Sequence, residues 1–197
     1  MIEVRFHGRG GQGAVVASEI LATALFREGQ FVQAFPAFGV ERRGAPVTAF
    51  LRSDTRPIRR RCQIYTPDIV VVLDPTLIGA VDVTAGLKPN GLILVNTERP
   101  PEDFSWHNFT VATVPASAIA VEHRLGTRTN PIVNTAILGA FARATGLVQI
   151  ESLLEAITEK IPTQAERNHA AAQDAHERVQ MSALVGAKHF ASEMLRP

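Results

Sequence analysis

The sequence predicts an α/β fold: a Rossmann-like, mostly parallel sheet with an antiparallel hairpin and a helical C-terminal third. Three observations carry this. Residues 2–6 alternate apolar and polar, then run through a glycine turn into a helical stretch. Residues 68–74 and 91–96 are continuous aliphatic runs, the pattern of strands buried on both faces. After Pro115 the periodicity is helical almost to the end.

The elements follow in order. Strand 2–6 leads to the loop His7-Gly8-Arg9-Gly10-Gly11-Gln12-Gly13, then a helix over 14–27 that Gly29 stops. A second strand, 30–35, is halted by Pro36, which makes a βαβ unit and a parallel sheet. Residues 47–52 and 57–64, joined by the turn Ser53-Asp54-Thr55, read as an antiparallel hairpin. Strands over 68–74, 91–96 and 110–114 follow, with short helices at 76–79 and 81–87. Helices are expected over 117–125, 132–144, 149–161 and 164–195, punctuated by Gly126, Gly146 and Pro162. The chain reads as one domain over 1–197, with a sheet core in 1–115 and a mainly helical part in 116–197.

Composition excludes several functions. The chain has 197 residues with 20 Lys plus Arg, 19 Asp plus Glu and a formal net charge of +1. A general nucleic-acid binder would be markedly more basic. No apolar run approaches the ~18 residues of a membrane span. The N-terminus carries an acid and enters a strand pattern directly, unlike a signal peptide, so a cytoplasmic protein is expected. Cys62 is the only cysteine, too few for an internal disulfide or the ligand set of an iron–sulfur cluster. It is expected at a buried strand position.

The charge is unevenly placed. Residues 1–61 hold ten Arg, no Lys and five acids, while the rest of the chain is net acidic. Arg presents a planar fork to phosphate or carboxylate. The run Arg59-Arg60-Arg61 reads equally well as a solvated patch.

Gly8-Arg9-Gly10-Gly11-Gln12-Gly13 matches G-x-G-x-x-G between a strand and a helix. Glycines permit positive φ and close backbone approach, and the helix N-terminus offers unpaired N–H groups to an anion. A dinucleotide site also needs an acid about twenty residues on, at the end of the second strand. That strand ends Gln33-Ala34-Phe35-Pro36, without one. Tight strand–helix packing is the structural alternative. The loop Pro36-Ala37-Phe38-Gly39-Val40-Glu41-Arg42-Arg43-Gly44-Ala45-Pro46 should gather at the same carboxyl edge, where Arg42 and Arg43 suit a phosphorylated or carboxylated ligand. Pairing of Glu41 with one of them is the alternative.

These motifs together resemble the gamma subunit of 2-oxoacid:ferredoxin oxidoreductases. The resemblance runs through residues 6–13, Gln33-Ala34-Phe35-Pro36, residues 38–46, Pro57-Ile58-Arg59, Gln63-Ile64-Tyr65 and Asp74-Pro75-Thr76-Leu77. It continues through Asn130-Pro131-Ile132-Val133-Asn134-Thr135-Ala136 and Leu138-Gly139-Ala140-Phe141, so it covers about residues 2–160 in order. The loop Phe38-Gly39-Val40-Glu41-Arg42-Arg43-Gly44 is similar to the pyruvate branch.

The resemblance implies a complex that oxidatively decarboxylates a 2-oxoacid to an acyl-CoA and carbon dioxide. Pyruvate is the first choice, with aryl, branched or C2 oxoacids as alternatives. It implies alpha, beta and delta-type partner subunits that carry thiamine diphosphate, Mg2+ and [4Fe-4S] clusters. Ferredoxin, or a flavin/NAD-linked subunit, is the implied acceptor. This chain would contact coenzyme A and cover the active site, through Gly8, Arg9, Gly10, Gly11, Gln12, Gly13, Arg42, Arg43 and Asn134, without a catalytic residue or metal of its own. A purely structural subunit that braces the thiamine-bearing chain is the alternative. His169 and His176, seven apart beside Glu166 and Asp174, share a helix face but lack a full ligand set and read as polar surface. His7 reads as a loop histidine that hydrogen-bonds backbone.

Overall fold

The computed structural model describes residues 1–37 and 44–182. Its main sheet has seven strands: β1 (Ile2–Arg9), β2 (Phe31–Pro36), β3 (Pro46–Asp54), β4 (Ile69–Val72), β5 (Leu92–Asn96), β6 (Thr110–Val114) and β9 (Gln180–Met181). A separate two-residue hairpin joins β7 (Gly126–Thr127) to β8 (Asn130–Pro131). The helices are α1 (Ala14–Arg27), α2 (Ala116–Glu122), α3 (Asn134–Thr145), α4 (Ile150–Lys160) and α5 (Ala165–Arg178).

The strand order is β2-β3-β1-β4-β5-β6-β9. β1, β4, β5 and β6 pair in parallel, as the unbroken aliphatic runs of β4 and β5 predict for those two strands. The βαβ reading holds for direction, but β3 lies between β1 and β2 and is antiparallel to both. The hairpin is therefore β2–β3. Residues 57–64 form no strand, which corrects the expected pairing. That segment instead supplies carbonyls to a buried guanidinium: Arg52 is 1% exposed, donates Nε to Glu3 Oε1 at 2.8 Å, and reaches the carbonyls of Cys62 and Gln63 at 2.8 and 3.2 Å. Cys62 is exposed, another correction, although Arg52 Nη2 reaches its carbonyl at 2.8 Å and its Sγ at 3.7 Å.

The two faces of the sheet are covered unequally. One carries the five described α-helices and the main core, including Val4, Phe6, Leu21, Leu94, Phe141 and Ile157. The other is covered by turns, with a smaller cluster of Val70, Val72, Leu77, Val83, Leu87, Ile93 and Val95. The expected helices at 76–79 and 81–87 are here a 3-10 turn over Pro75–Leu77 and successive turns. Asp74 opens the 3-10 turn by accepting the Thr76 N–H at 2.9 Å.

The last described helix, α5, ends at Arg178, where the expected one ran on to 195. Val179 is extended and β9 pairs antiparallel with β6 through Ala112 and Thr113. Residues 183–197 of that expected helix lie outside the described ones. Within α5 the alanines have a packing role. Ala171, Ala172 and Ala175 are fully buried against α3, and a Cβ on Gly139 would collide with the backbone carbonyl of Ala172. Thr135 Oγ1 donates to Asn168 Oδ1 at 2.9 Å across the same interface.

Gly139→Ala should therefore force the two helices apart and cost about 1–3 kcal/mol, as overpacking does. Urea unfolding measures it; an unchanged midpoint would contradict the close crossing.

Candidate functional site at the carboxyl edge of the sheet

The parallel strands deliver their following loops to one edge. From β1 the chain crosses the helical face toward β2 on one side, while β4, β5 and β6 lie on the other. The crevice between β1 and β4 is thus the topological switch point, where open α/β sheets place ligands. Here it is bridged by side chains. Arg9 donates Nε to Asp74 Oδ2 at 3.1 Å, Nη2 to Thr76 Oγ1 at 2.8 Å and Nη1 to the Gly44 carbonyl at 3.1 Å. Gln12 donates Nε2 to the same Asp74 oxygen at 2.8 Å and accepts the Arg9 N–H at 2.8 Å. Thr76 donates its hydroxyl and N–H to Asp74 Oδ1 at 2.6 and 2.9 Å. Burial alone would raise the Asp74 pKa, but the hydrogen bonds from Thr76 and Gln12 and the Arg9 charge outweigh it and hold it below the ordinary carboxylate value.

The glycines have distinct tasks. A Cβ on Gly8 would stand 3.2 Å from Ala14 Cβ, so Gly8 serves strand–helix packing. Gly10 exchanges backbone hydrogen bonds with Ala45 and Gly44 at 2.9 and 3.1 Å. Gly11 turns the chain at φ +98° and Gly13 caps α1 at φ +80°. The N–H groups of Arg9 and Gln12 are spent within the loop and that of Gly10 on the Ala45 carbonyl. Those of Gly11 and Gly13 bond to no described residue, and the first-turn N–H groups of α1 have no intrahelical partner.

Asn134, the first residue of α3 and 4% exposed, packs against this turn. A Cβ on Gly13 would meet Asn134 Nδ2 at 2.8 Å. Asn134 Oδ1 accepts the Thr135 N–H at 2.9 Å, which leaves Nδ2 turned toward Gly13. Two helix N-termini thus converge on one point, each with partial positive charge. Arg42 and Arg43, the charged pair expected here, lie outside the described residues; the flanking Gly44 and Ala45 are held to Gly10.

His7 departs from its expected role. It lies within β1 and is buried, and its Nε2 accepts from Arg5 Nε at 3.0 Å rather than bonding backbone. That contact puts the ring proton on Nδ1. Burial, helped by the Arg5 charge and opposed by Asp82, takes its pKa down to about 4. Arg5 is anchored in turn on the carbonyls of Val83 and Ala85 at 3.0 and 2.7 Å. Sequence reading missed this pair, although alternation puts residues 5 and 7 on one face of the strand.

The histidines of α5 are separated by their contacts. His169 Nε2 lies 2.8 Å from Thr158 Oγ1, while Asp174 meets His123 and Arg178. No group of three or more His, Cys, Asp or Glu side chains able to hold a metal ion occurs among the described residues. None of the described helices is long and apolar enough to cross a membrane.

Residues 3–178 match the family model described as pyruvate ferredoxin/flavodoxin oxidoreductase. The chain belongs to that family. It is similar to the common gamma subunit of the pyruvate/ketoisovalerate oxidoreductases of Pyrococcus furiosus, 58% identical over 92% of this chain and 98% of that one. It is also similar to the pyruvate synthase subunit PorC of Methanothermobacter marburgensis, 54% identical over 92% and 99%. The crystal structure of pyruvate oxidoreductase subunit PORC from Thermotoga maritima matches with a TM-score of 0.79 and 36% identity, over 92% of this chain and 98% of that chain. The chain is accordingly a gamma-type subunit of a 2-oxoacid:ferredoxin oxidoreductase, an enzyme complex.

The depressed His7 pKa sets a pH dependence. An unfolded histidine protonates near pH 6.5, the folded one only near 4, so the neutral-state stabilisation is complete above pH 6.5 and is lost as the pH falls toward 4. The shift corresponds to about 3 kcal/mol. His7→Gln, which can still accept from Arg5, should flatten the fall in urea midpoint between pH 6.5 and 4. A fall as steep as in the unmodified chain would contradict a buried neutral His7.

Proposed function

We propose that this gamma-type subunit contributes the coenzyme A contact of its complex. The observation that carries the reading is the convergence of the α1 and α3 N-termini, with the Nδ2 of Asn134 and the amides of Gly11 and Gly13, which bond to no described residue, at one point. Coenzyme A carries a diphosphate and a 3′-phosphate, anions that such amides receive. Arg42 and Arg43 would add forked donors from the loop joined to Gly10 through Gly44 and Ala45. Arg9 acts differently: its guanidinium is taken up by Asp74, Thr76 and Gly44, so it shapes the turn.

The reaction we assign to the complex converts a 2-oxoacid and coenzyme A to acyl-CoA and carbon dioxide, releasing two electrons and a proton. Pyruvate is the favoured substrate, supported by the pyruvate synthase naming of the relative from Methanothermobacter marburgensis. The Pyrococcus furiosus relative is named as common to pyruvate and ketoisovalerate oxidoreductases, which supports oxoacid choice by other chains. Thiamine diphosphate with Mg2+ and [4Fe-4S] clusters on alpha, beta and delta-type partners would supply carbon–carbon cleavage and electron transfer. Ferredoxin is the acceptor we favour, and the cytoplasm, which holds coenzyme A, the compartment. This chain's own part is to bind and orient the coenzyme and to help cover the site.

Asn134→Asp tests the reading. The carboxylate keeps the Thr135 contact and suits a helix N-terminus, so assembly should survive. A negative charge beside the phosphate should raise the coenzyme A KM about tenfold or more with the pyruvate KM unchanged. An unchanged coenzyme A KM in an intact complex would overturn the proposal and favour a bracing subunit.

A further inference from the structure

On the turn-covered side of the same edge, the loops after β4 and β5 enclose a cleft of about 390 Å³. Pro75, Ile78 and Gly79 line one part of it, and Arg99, Phe104 and Trp106 another. Phe104 and Trp106 are stacked, with ring centroids 5.0 Å apart and 22° between their planes. Arg99 lies over the Phe104 ring at 4.9 Å from its centroid and is held by Asp103 through a 3.3 Å ion pair. Both rings pack against the smaller core but are half-buried, so each keeps accessible surface. A Cβ built on Gly79 would meet nothing within 4 Å, which leaves that wall open.

We infer that this cleft is a binding site for a flat heteroaromatic ring, the adenine-type base of the nucleotide ligand whose phosphates the glycine turn receives. The inference rests on the coenzyme A reading and deepens it. Three features select a base over an aliphatic group. Aromatic side chains offer a stacking surface to any nucleobase. The guanidinium on Phe104 extends that surface with a cation that favours a π-face. The cleft volume lies within the ~300–1,000 Å³ of small-ligand sites.

Its placement joins it to the phosphate point. Pro75 lines the cleft, and the next residue, Thr76, accepts from Arg9 of the glycine loop. β1 and β5 are two strands apart across the sheet, about 10 Å at ordinary strand spacing, a span of the order of an extended nucleoside diphosphate from its phosphates to its base. The ligand would then cross the carboxyl edge, phosphates at the start of α1 and base beyond the Asp74 clasp.

The test uses the assembled complex and calorimetric titration with coenzyme A, adenosine 3′,5′-bisphosphate and 4′-phosphopantetheine. Trp106→Ala should weaken coenzyme A and the bisphosphate alike, by about fivefold or more, the loss of a base–aromatic stack. It should leave 4′-phosphopantetheine, which has no base, unaffected. Arg99→Ala, at an exposed side chain outside the packed cluster, should weaken the same two ligands by about threefold and decides the matter if the Trp106 variant fails to assemble. If Asn134→Asp weakens coenzyme A while the cleft variants bind all three ligands normally, the base lies elsewhere and this inference falls alone. If Asn134→Asp and the cleft variants all leave coenzyme A binding unchanged, the coenzyme reading falls with it.

Discussion

The Asp74 carboxylate is the constraint on which the carboxyl edge of the sheet depends. Its two oxygens take four hydrogen bonds, from Arg9, Gln12 and both donors of Thr76, so one buried anion joins the end of β1, the glycine turn and the first turn after β4. Without it the guanidinium of Arg9 and the amide of Gln12 would have no common anchor, and the turn would lose its link to β4. The arrangement also settles what the loop can offer. Arg9 is neutralised by Asp74, so attraction for an anion must come from backbone amides, helix ends and arginines elsewhere. This is why the proposed contact is placed where Gly13 meets Asn134 and not at the most obvious cation in the motif.

A second buried polar group organises the other half of the sheet. Arg52 and Glu3 face each other across the β1–β3 ladder, and Arg52 also lies over Phe35, 5.3 Å from its centroid. Buried ion pairs add little net stability, but removing one partner strands a charge in a dry interior. The pair therefore favours the register in which β3 sits between β1 and β2. Asp68 extends the network, accepting the Glu3 N–H at 2.9 Å and pairing with Lys88 at 2.9 Å. The turn-covered face is thus held by directed polar contacts as well as by its small apolar cluster, whereas the helical face relies on volume and on the close crossing of α3 and α5.

Much of this was legible in the sequence. The aliphatic runs of β4 and β5, the alternation of β1, the glycine turn and the helices α1, α3 and α4 follow from periodicity and breakers. What failed was non-local. Residues 57–64 have strand-like content, but their backbone is used by Arg52, and nothing local reveals that β3 pairs with β1 and β2 instead. Arg52 occupies an alternating position that reads as outward, yet β2, β1 and the 62–63 carbonyls close over it. The helical pattern continues past residue 178, while the structure turns Val179–Met181 out to add an edge strand to β6. Of the proposed site, the glycines and Asn134 stand out in the sequence, but their approach to one another depends on how α3 packs, and the aromatic cleft carries no linear motif.

One cysteine alone cannot supply the ligand set of an iron–sulfur cluster, and the part we propose for this chain is to bind and place the coenzyme. The account turns on whether the amides at the start of α1 receive the coenzyme. Hydrogen–deuterium exchange of the assembled complex with and without coenzyme A measures this most directly. Slower exchange over residues 10–16 and 134–136 on coenzyme addition is the predicted result. Protection confined to other subunits, with these amides unchanged at saturating coenzyme, would contradict it.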